Sequence, residues 1–262
     1  MRIFCIDIGN TRTHFGLGDG RGGFTGRGDV ETRRLGGRDG ALAEALRRLV
    51  ADGAVAVAFC SVVPEAAEAL RRLVADEAPA APVFQLTHES APDIAPGYPR
   101  PSEIGQDRLA NAAAVRALGR LPAVVVDMGT AVTLDVVTAG GYEGGIIAPG
   151  LEVMRSYLHE RTAQLPALDV GDEWLPGAIG RSTEAAMRIG TTVGFAGMIQ
   201  ALLDAVLGEL SRRGMEGAAV YATGGCAEFV RGRLRQDCVV SPDLTLLGLE
   251  AACRAAGKGG AP

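Results

Sequence analysis

Ile3-Phe-Cys-Ile-Asp7-Ile-Gly9-Asn-Thr11 near the start of the chain and Val124-Val-Val-Asp127-Met-Gly129-Thr130 near its middle share one grammar: an apolar run, an aspartate, one apolar residue, a glycine, then a hydroxyl. Each apolar run is short and ends in turn-forming residues, so each reads as a buried strand leading into a tight bend. The two aspartates are separated by nearly half of the 262-residue chain, a spacing that predicts two related halves. A glycine bend lets backbone N–H groups face a ligand without a Cβ in the way, and Thr11, Thr13, Thr130 and Thr133 add hydroxyl donors. The combination suits a phosphate group. Asp7 and Asp127, at strand ends, supply hard oxygen ligands for Mg²⁺ or a monovalent cation beside a polyphosphate. The same Asp-x-Gly pattern also fits a plain turn closed by its acid; recurrence across half the chain is what favours the shared ligand role. Neither a Walker loop nor a GxGxxG after a first strand occurs.

Outward from these stretches, further apolar, β-branched runs at 54–59, 83–86, 132–137 and 218–221 read as strands. Helical periodicity covers 42–50, 64–74 with Pro64 in the first turn, 108–118, 152–157, 183–210 and 246–255. Strands alternating with helices place the chain in the α/β class. The expected division is residues 1–118, residues 119–256 and a frayed tail, 257–262. With 37 glycines and only 5% aromatic residues, the core must be built from small and aliphatic side chains. The segment 87–105 carries Pro92, Pro96, Pro99 and Pro101 without periodicity and reads as an ordered, functional loop.

Several function classes are disfavoured. A net charge of −5 with scattered arginines gives no attraction for nucleic acid or an anionic membrane surface. Five cysteines without a CxxC pair point to reduced thiols of a cytoplasmic protein rather than to zinc or a redox dithiol. The N-terminus lacks a signal-peptide core, and Asp127 and Asp135 interrupt the best candidate for a membrane span. No GxSxG or Cys/His arrangement argues for acyl transfer. His14, His88 and His159 lack metal-ligand spacing, and with the solitary Trp174 they read as packing or surface residues.

Immediately after the proline-rich loop, Ile104-Gly105-Gln106-Asp107-Arg108 opens a helix. Asp107 in the first turn can remain ionised and accept a proton from a substrate hydroxyl, while Arg108 offers a fork to a carboxylate or phosphate. The pair also fits a capping acid and a surface cation. Gly144-Gly-Ile-Ile-Ala-Pro-Gly150 joins a strand to a helix, and Thr223-Gly-Gly225 ends a late strand; each can approach a ligand or simply turn the chain.

Asp7-Ile-Gly-Asn-Thr11, Tyr98 in Pro-Gly-Tyr, Gly105-Gln-Asp-Arg108, Asp127-Met-Gly-Thr-Ala-Val-Thr133, Gly144–Gly150, Thr162-Ala-Gln-Leu-Pro166, Gly180-Arg-Ser-Thr183 and Thr223-Gly-Gly225 occur in the order seen in type III pantothenate kinases, which the chain resembles from residue 1 to about 256. The resemblance implies two ribonuclease-H-like halves of the actin, Hsp70 and sugar-kinase superfamily with a nucleotide cleft between them. It implies transfer of the γ-phosphoryl of ATP to the 4′-hydroxyl of pantothenate, opening coenzyme A synthesis, by a homodimer using a divalent metal such as Mg²⁺ and K⁺ or NH₄⁺. Carried over by position, Asp7, Ile8, Gly9, Asn10, Thr11, Arg12, Thr13 and His14 form the first phosphate loop, and Thr130 contacts ATP. Asp127 matches the monovalent-cation ligand, Tyr98, Gly105, Gln106, Asp107, Arg108 and Thr183 the pantothenate contacts, and Asp107 the proton acceptor. Two positions depart from the pattern: His14 stands where some members have lysine, and Gln106 replaces a more frequent aliphatic residue. Two other readings share the motifs, a kinase of another small hydroxy acid or sugar and a non-catalytic regulator on the same fold.

Overall fold

The computed structural model describes residues 2–37, 40–51, 55–168 and 177–259; Ala54, Trp174 and the last three residues of the expected tail lie outside them. The chain divides into two compact units. One comprises Met1–Leu121, Val137–Glu143 and Asp243–Pro262, the other Pro122–Val136 and Gly144–Pro242.

In the first unit β1 (Arg2–Ile8), β2 (Arg12–Gly18), β3 (Phe24–Glu31), β4 (Val55–Ser61) and β5 (Val83–Gln85) form a sheet ordered β3-β2-β1-β4-β5. The pairs β1–β2 and β2–β3 are antiparallel, and β1–β4 and β4–β5 are parallel. β1 and β4 read as nearly continuous apolar runs because both faces of the sheet are covered. Phe4, Ile6, Ile8, Val57 and Phe59 pack with Leu42 and Leu46 of α1 (Ala41–Ala51) and Leu70 and Leu73 of α2 (Pro64–Glu77). Ile3 and Cys5 alternate to the other face, where α3 (Gln106–Leu118) and α7 (Leu244–Gly259) lie.

The second unit repeats the plan. Its strands β6 (Ala123–Met128), β7 (Ala131–Thr138), β8 (Gly141–Pro149), β9 (Ala219–Thr223) and β10 (Val239–Val240) are ordered β10-β9-β6-β7-β8. With β6 in the place of β1, this is the order of the first sheet, and β6–β9 and β9–β10 are parallel as their counterparts are. The echo of Asp7-x-Gly9 in Asp127-x-Gly129 is therefore an echo of whole sheets. Val124, Val126, Met128 and Val220 pack against Leu151 of α4 (Leu151–Glu160), Phe195, Ile199 and Leu203 of α5 (Thr183–Arg212), and Val230 of α6 (Ala227–Arg231).

Three features go beyond what the sequence shows. Strands β2, β3, β8 and β10 carry no apolar run strong enough to be read from sequence; β3 is largely exposed, and β8 is half-exposed on alternate residues. The grouping by contacts differs from a single cut after residue 118, because residues 243 onward and the β7–β8 tip belong with the first unit. On α7 the buried Glu250 accepts from the Gly20 N–H (2.9 Å) and from Arg254 Nη2 (2.7 Å), and Thr245 Oγ1 donates to Asn111 Oδ1 (3.0 Å). Buried polar groups of this kind need their partners, so α7 stays with the β2–β3 turn and the helix α3 that supply them. It also continues through Gly259, three residues into the expected tail.

Among the described residues one helix, α5, is long and apolar enough to cross a membrane by length and composition, although Asp127 and Asp135 do interrupt the run singled out in the sequence. Its Phe195, Ile199, Leu203, Val206 and Leu210 face the core of the second unit. The 87–105 segment is ordered around short 3-10 turns at Pro92–Ile94 and Pro101–Glu103.

Candidate active site

The bend between β1 and β2 is closed from within. The Gly9 N–H donates to Arg12 O (3.0 Å), the Thr32 N–H to Thr11 O (3.0 Å), and Thr32 Oγ1 to Gly9 O (2.7 Å). Thr13 is fully buried with its hydroxyl 3.1 Å from that of Thr32, and Ile8 is in the core. Two groups expected to face a phosphate, the Gly9 N–H and the Thr13 hydroxyl, thus build the bend instead. Asn10, Thr11 and Arg12 are exposed at its tip, and Arg12 pairs with Asp29. His14 follows on the outward side of β2; loss of water around its ring lowers its pKa below the ordinary histidine value, with Asp29 opposing. It is neutral at pH 7, so it does not supply the charge that lysine would bring there.

Asp7, half-buried at the end of β1, accepts a hydrogen bond from Cys60 Sγ at 3.2 Å. Burial pushes the Cys60 thiol well up, and the carboxylates of Asp7 and Asp107 push it further in the same direction. One protonated thiol on β4 therefore sits within the fields of both acids, and this places the two sequence-predicted acids of the first unit in one neighbourhood.

The placement of Asp107 follows from its neighbours. Gly105 is the N-cap of α3 and contributes no side-chain cap; a Cβ there would lie 2.5 Å from Asp107 Oδ1, so glycine leaves room for the carboxylate in the position it takes here. Asp107 Oδ1 accepts from the Arg108 N–H (2.8 Å), within the first turn, rather than capping from outside the helix. Gln106 Oε1 accepts from the Ser61 N–H (2.9 Å) and from Gln85 Nε2 (3.1 Å), which fastens the start of α3 to the ends of β4 and β5. An aliphatic side chain could not make these bonds, which gives this chain's departure at Gln106 a physical reason. Desolvation raises the Asp107 pKa, with the Arg108 N–H and guanidinium opposing. A carboxylate held above its usual range is a better proton acceptor. Arg108 lies with its guanidinium 5.7 Å from the ring centroid of Tyr142, and Tyr98 lies 5.4 Å from the same ring.

In the second unit the Gly129 N–H donates to Ala131 O (3.0 Å), so this bend too is closed by its own glycine. Asp127 is half-buried at the strand end and Thr130 is exposed. Here the bracing comes from backbone. The Gly150 N–H donates to Thr130 O (3.0 Å), and a Cβ on Gly150 would overlap Gly129 O and Thr130 O. Gly224, at φ +86°, leaves only 2.6–2.7 Å between a would-be Cβ and the backbone of Met128. The Gly144–Gly150 and Thr223–Gly225 motifs thus clamp the bend. Thr133 Oγ1 donates to Asp135 Oδ2 (2.9 Å) instead of facing outward. Thr183 is exposed at the start of α5, next to Ser182, whose hydroxyl accepts from the Ala185 N–H (3.1 Å).

Asp7, Tyr98 and Gly105–Arg108 are therefore residues of the first unit, and Asp127, Thr130 and Thr183 of the second. Sequence reasoning missed Thr32, Cys60, Gln85 and Tyr142. Only Tyr142 carried a signal, an aromatic residue directly after Gly140-Gly141 in a chain with few aromatics. Among the described residues no group of three or more His, Cys, Asp or Glu is placed to hold a metal. A single carboxylate such as that of Asp7 is compatible with Mg²⁺, which keeps its waters and takes its remaining oxygens from substrate phosphates.

The model of the family described as type III pantothenate kinase matches residues 3–205. A type III pantothenate kinase of Akkermansia muciniphila is 40% identical over 253 residues, covering 96% of this chain and 98% of the relative. That of Rubrobacter xylanophilus is 39% identical over 254 residues, covering 95% and 96%. Among solved structures, a ROK family glucokinase from Streptomyces griseus in complex with glucose and AMPPNP superposes with TM-score 0.60 at 13% identity, covering 99% of this chain and 100% of that one, which shows a shared sugar-kinase fold. Matching sheets, ordered motifs and full-length relatives agree: the chain belongs to the type III pantothenate kinase family.

Proposed function

We infer that the chain transfers the γ-phosphoryl group of ATP to the 4′-hydroxyl of pantothenate, the step that opens coenzyme A synthesis. The observation that carries this reading is Asp107: a carboxylate with a raised pKa, given room by Gly105, anchored through Gln106, and sharing the Cys60 neighbourhood with Asp7. The hydroxyl oxygen attacks the γ-phosphorus, the bond to the β-phosphate oxygen breaks, ADP leaves, and the hydroxyl proton passes to Asp107. Phosphoryl transfer proceeds through a loose transition state, so the protein mainly aligns groups and stabilises charge. Arg108 and Tyr98 hold pantothenate, the guanidinium fork matching its carboxylate, with Gly105, Gln106 and Thr183 as further contacts.

The Asp7–His14 bend and Thr130 contact ATP through the exposed tips at Asn10–Arg12 and Thr130. Asp7 would hold Mg²⁺, which would supply neutralisation of the phosphate charge. Asp127 holds K⁺ or NH₄⁺. The reading includes a cytoplasmic homodimer. Ile147 on β8, Val153 and Tyr157 one turn apart on α4, and Val193 on α5 are large apolar side chains left exposed on the second unit, and they favour that unit for contact with a second copy.

The test is phosphorylation of pantothenate by the purified protein with ATP and Mg²⁺, in K⁺ and in Na⁺. The expected result is 4′-phosphopantothenate with turnover depressed in Na⁺. Absence of product, while another hydroxy acid or sugar is phosphorylated, would overturn the substrate assignment. Indifference to the cation would remove Asp127 from its role.

A further inference from the structure

We propose that Tyr142 is a positioning residue for pantothenate: its ring, carried by the tip of the β7–β8 hairpin, holds the Arg108 guanidinium and the Tyr98 ring in their binding arrangement. The proposal rests on the reading of Arg108 and Tyr98 as substrate contacts and deepens it.

Tyr142 is 3% exposed and lies between two groups assigned to the substrate. The Arg108 guanidinium carbon stands 5.7 Å from its ring centroid, and the Tyr98 ring meets it at 5.4 Å with an interplanar angle of 57°. The first distance is within the range over which a cation is drawn to an aromatic face, and the second is that of a tilted aromatic pair. Arg108 has four side-chain torsions and is half-buried as a residue, so a ring face beside its guanidinium narrows the positions its fork can take. Tyr98 belongs to a proline-rich loop with little regular structure, and it too needs a fixed partner.

The hairpin tip is built to hold that partner still. Residues 137–143 group with the first unit, although most of β7 and β8 does not. Gly141 has φ +111°, and a Cβ there would lie 2.7 Å from Ile94 O and 2.8 Å from Pro96 Cδ, so the tip is seated directly on the proline-rich loop. Thr138 Oγ1 donates to Glu143 Oε1 (2.7 Å) and the Gly140 N–H donates to Thr138 Oγ1 (3.1 Å), closing the tip on itself. The hairpin, the loop with Tyr98 and the first turn of α3 with Arg108 thus converge on one ring.

The experiment is steady-state kinetics of the full-length enzyme with Tyr142→Ala, Tyr142→Phe, Arg108→Ala and the Tyr142→Ala/Arg108→Ala double variant, each checked by circular dichroism and thermal unfolding. Tyr142→Ala is expected to raise the pantothenate KM about tenfold, the scale of a desolvated cation–π contact with its aromatic neighbour, while the KM for ATP stays put. Tyr142→Phe, which retains the ring face, is expected to restore the pantothenate KM to within about twofold. The double variant is expected to be no worse than Arg108→Ala alone, since Tyr142 acts through that residue. If Arg108→Ala raises the pantothenate KM and Tyr142→Ala does not, the proposal fails and the site reading stands. If Arg108→Ala leaves it unchanged, the site reading itself fails. Parallel losses in both substrates' KM with a lowered melting temperature, unrescued by phenylalanine, would make Tyr142 merely structural.

Discussion

The two acid–glycine bends have the same sequence grammar, sit at the same place in sheets of the same order and are each closed by their own glycine N–H, yet their further supports differ. The bend after Asp7 adds side-chain braces to its backbone bonds, Thr32 reaching Gly9 O and Cys60 reaching Asp7. The bend after Asp127 is braced by backbone, with Gly150 and Gly224 brought so close that no side chain fits. A repeated topology therefore does not repeat its supports. A side-chain brace can be lost by deletion; a backbone brace is lost by addition. The contrast extends to chemistry, because the first unit brings Asp107 into the Cys60 neighbourhood of the acid at its bend, whereas the second surrounds its bend with glycine-rich backbone.

The largest effect that tests this contrast is chemical. Asp107→Asn is expected to lower kcat about 10²–10⁴-fold, the usual contribution of a positioned acid–base group, with the KM for ATP little changed. A near-normal kcat would remove Asp107 from the base role. The same variant is expected to unfold at a higher temperature at pH 7. A carboxylate whose folded pKa is raised by burial contributes stability below its unfolded pKa and loses it as pH rises through the folded value, so at neutral pH the ionised group is a net cost that the amide avoids. The stabilisation should fade towards pH 4, near the unfolded carboxylate pKa of about 3.9.

Next come the supports. Gly150→Ala is expected to destabilise the protein by about 1–3 kcal/mol, the cost of forcing a methyl into packed backbone, read as a drop in thermal midpoint. Gly129→Ala, whose Cβ would meet Ala131 O at an ordinary 3.8 Å, should stay within about 0.5 kcal/mol of the parent. Equal effects of the two would show that the backbone clamp is not what holds the second bend. In the first bend, Thr32→Val keeps the side-chain shape and removes the hydroxyl, and a loss of about 1–2 kcal/mol is expected in denaturant unfolding. A neutral result would mean that the side-chain brace contributes nothing.

The smallest effect is a shift in a pH profile. The acid limb of kcat/KM should lie above the ordinary aspartate range, because burial raises the pKa of the group that must be ionised to accept the proton. An acid limb at or below about 3.9 would argue that a different group limits the rate.

The legible parts of the sequence were those where one residue type has one dominant physical use. The apolar runs of β1, β4 and β6 announced buried strands, Pro64 the start of α2, and the 183–210 periodicity a helix found at Thr183–Arg212 with Ser182 as its cap. Strands β3 and β8 were illegible because their neighbours in the sheet, not their own hydrophobicity, hold them extended. Glycine at 9, 129, 150 and 224 was visible, but its reason was not. A bend, a clamp and an open approach to a ligand all demand a missing Cβ, and they differ only in what occupies the vacated space.

By itself, then, the sequence determined the α/β class, the twofold echo, the order of the motifs and the acid at 107, since these depend on local pattern and residue chemistry. Tertiary structure alone decided that α7 joins the first unit, that Gln106 ties α3 to Ser61 and Gln85, that Thr13 turns inward, and that Tyr142 lies beside Arg108 and Tyr98. Each is a contact between residues distant in the chain. Burial, hydrogen bonding and close approach depend on what the rest of the fold brings alongside, and no local pattern records that.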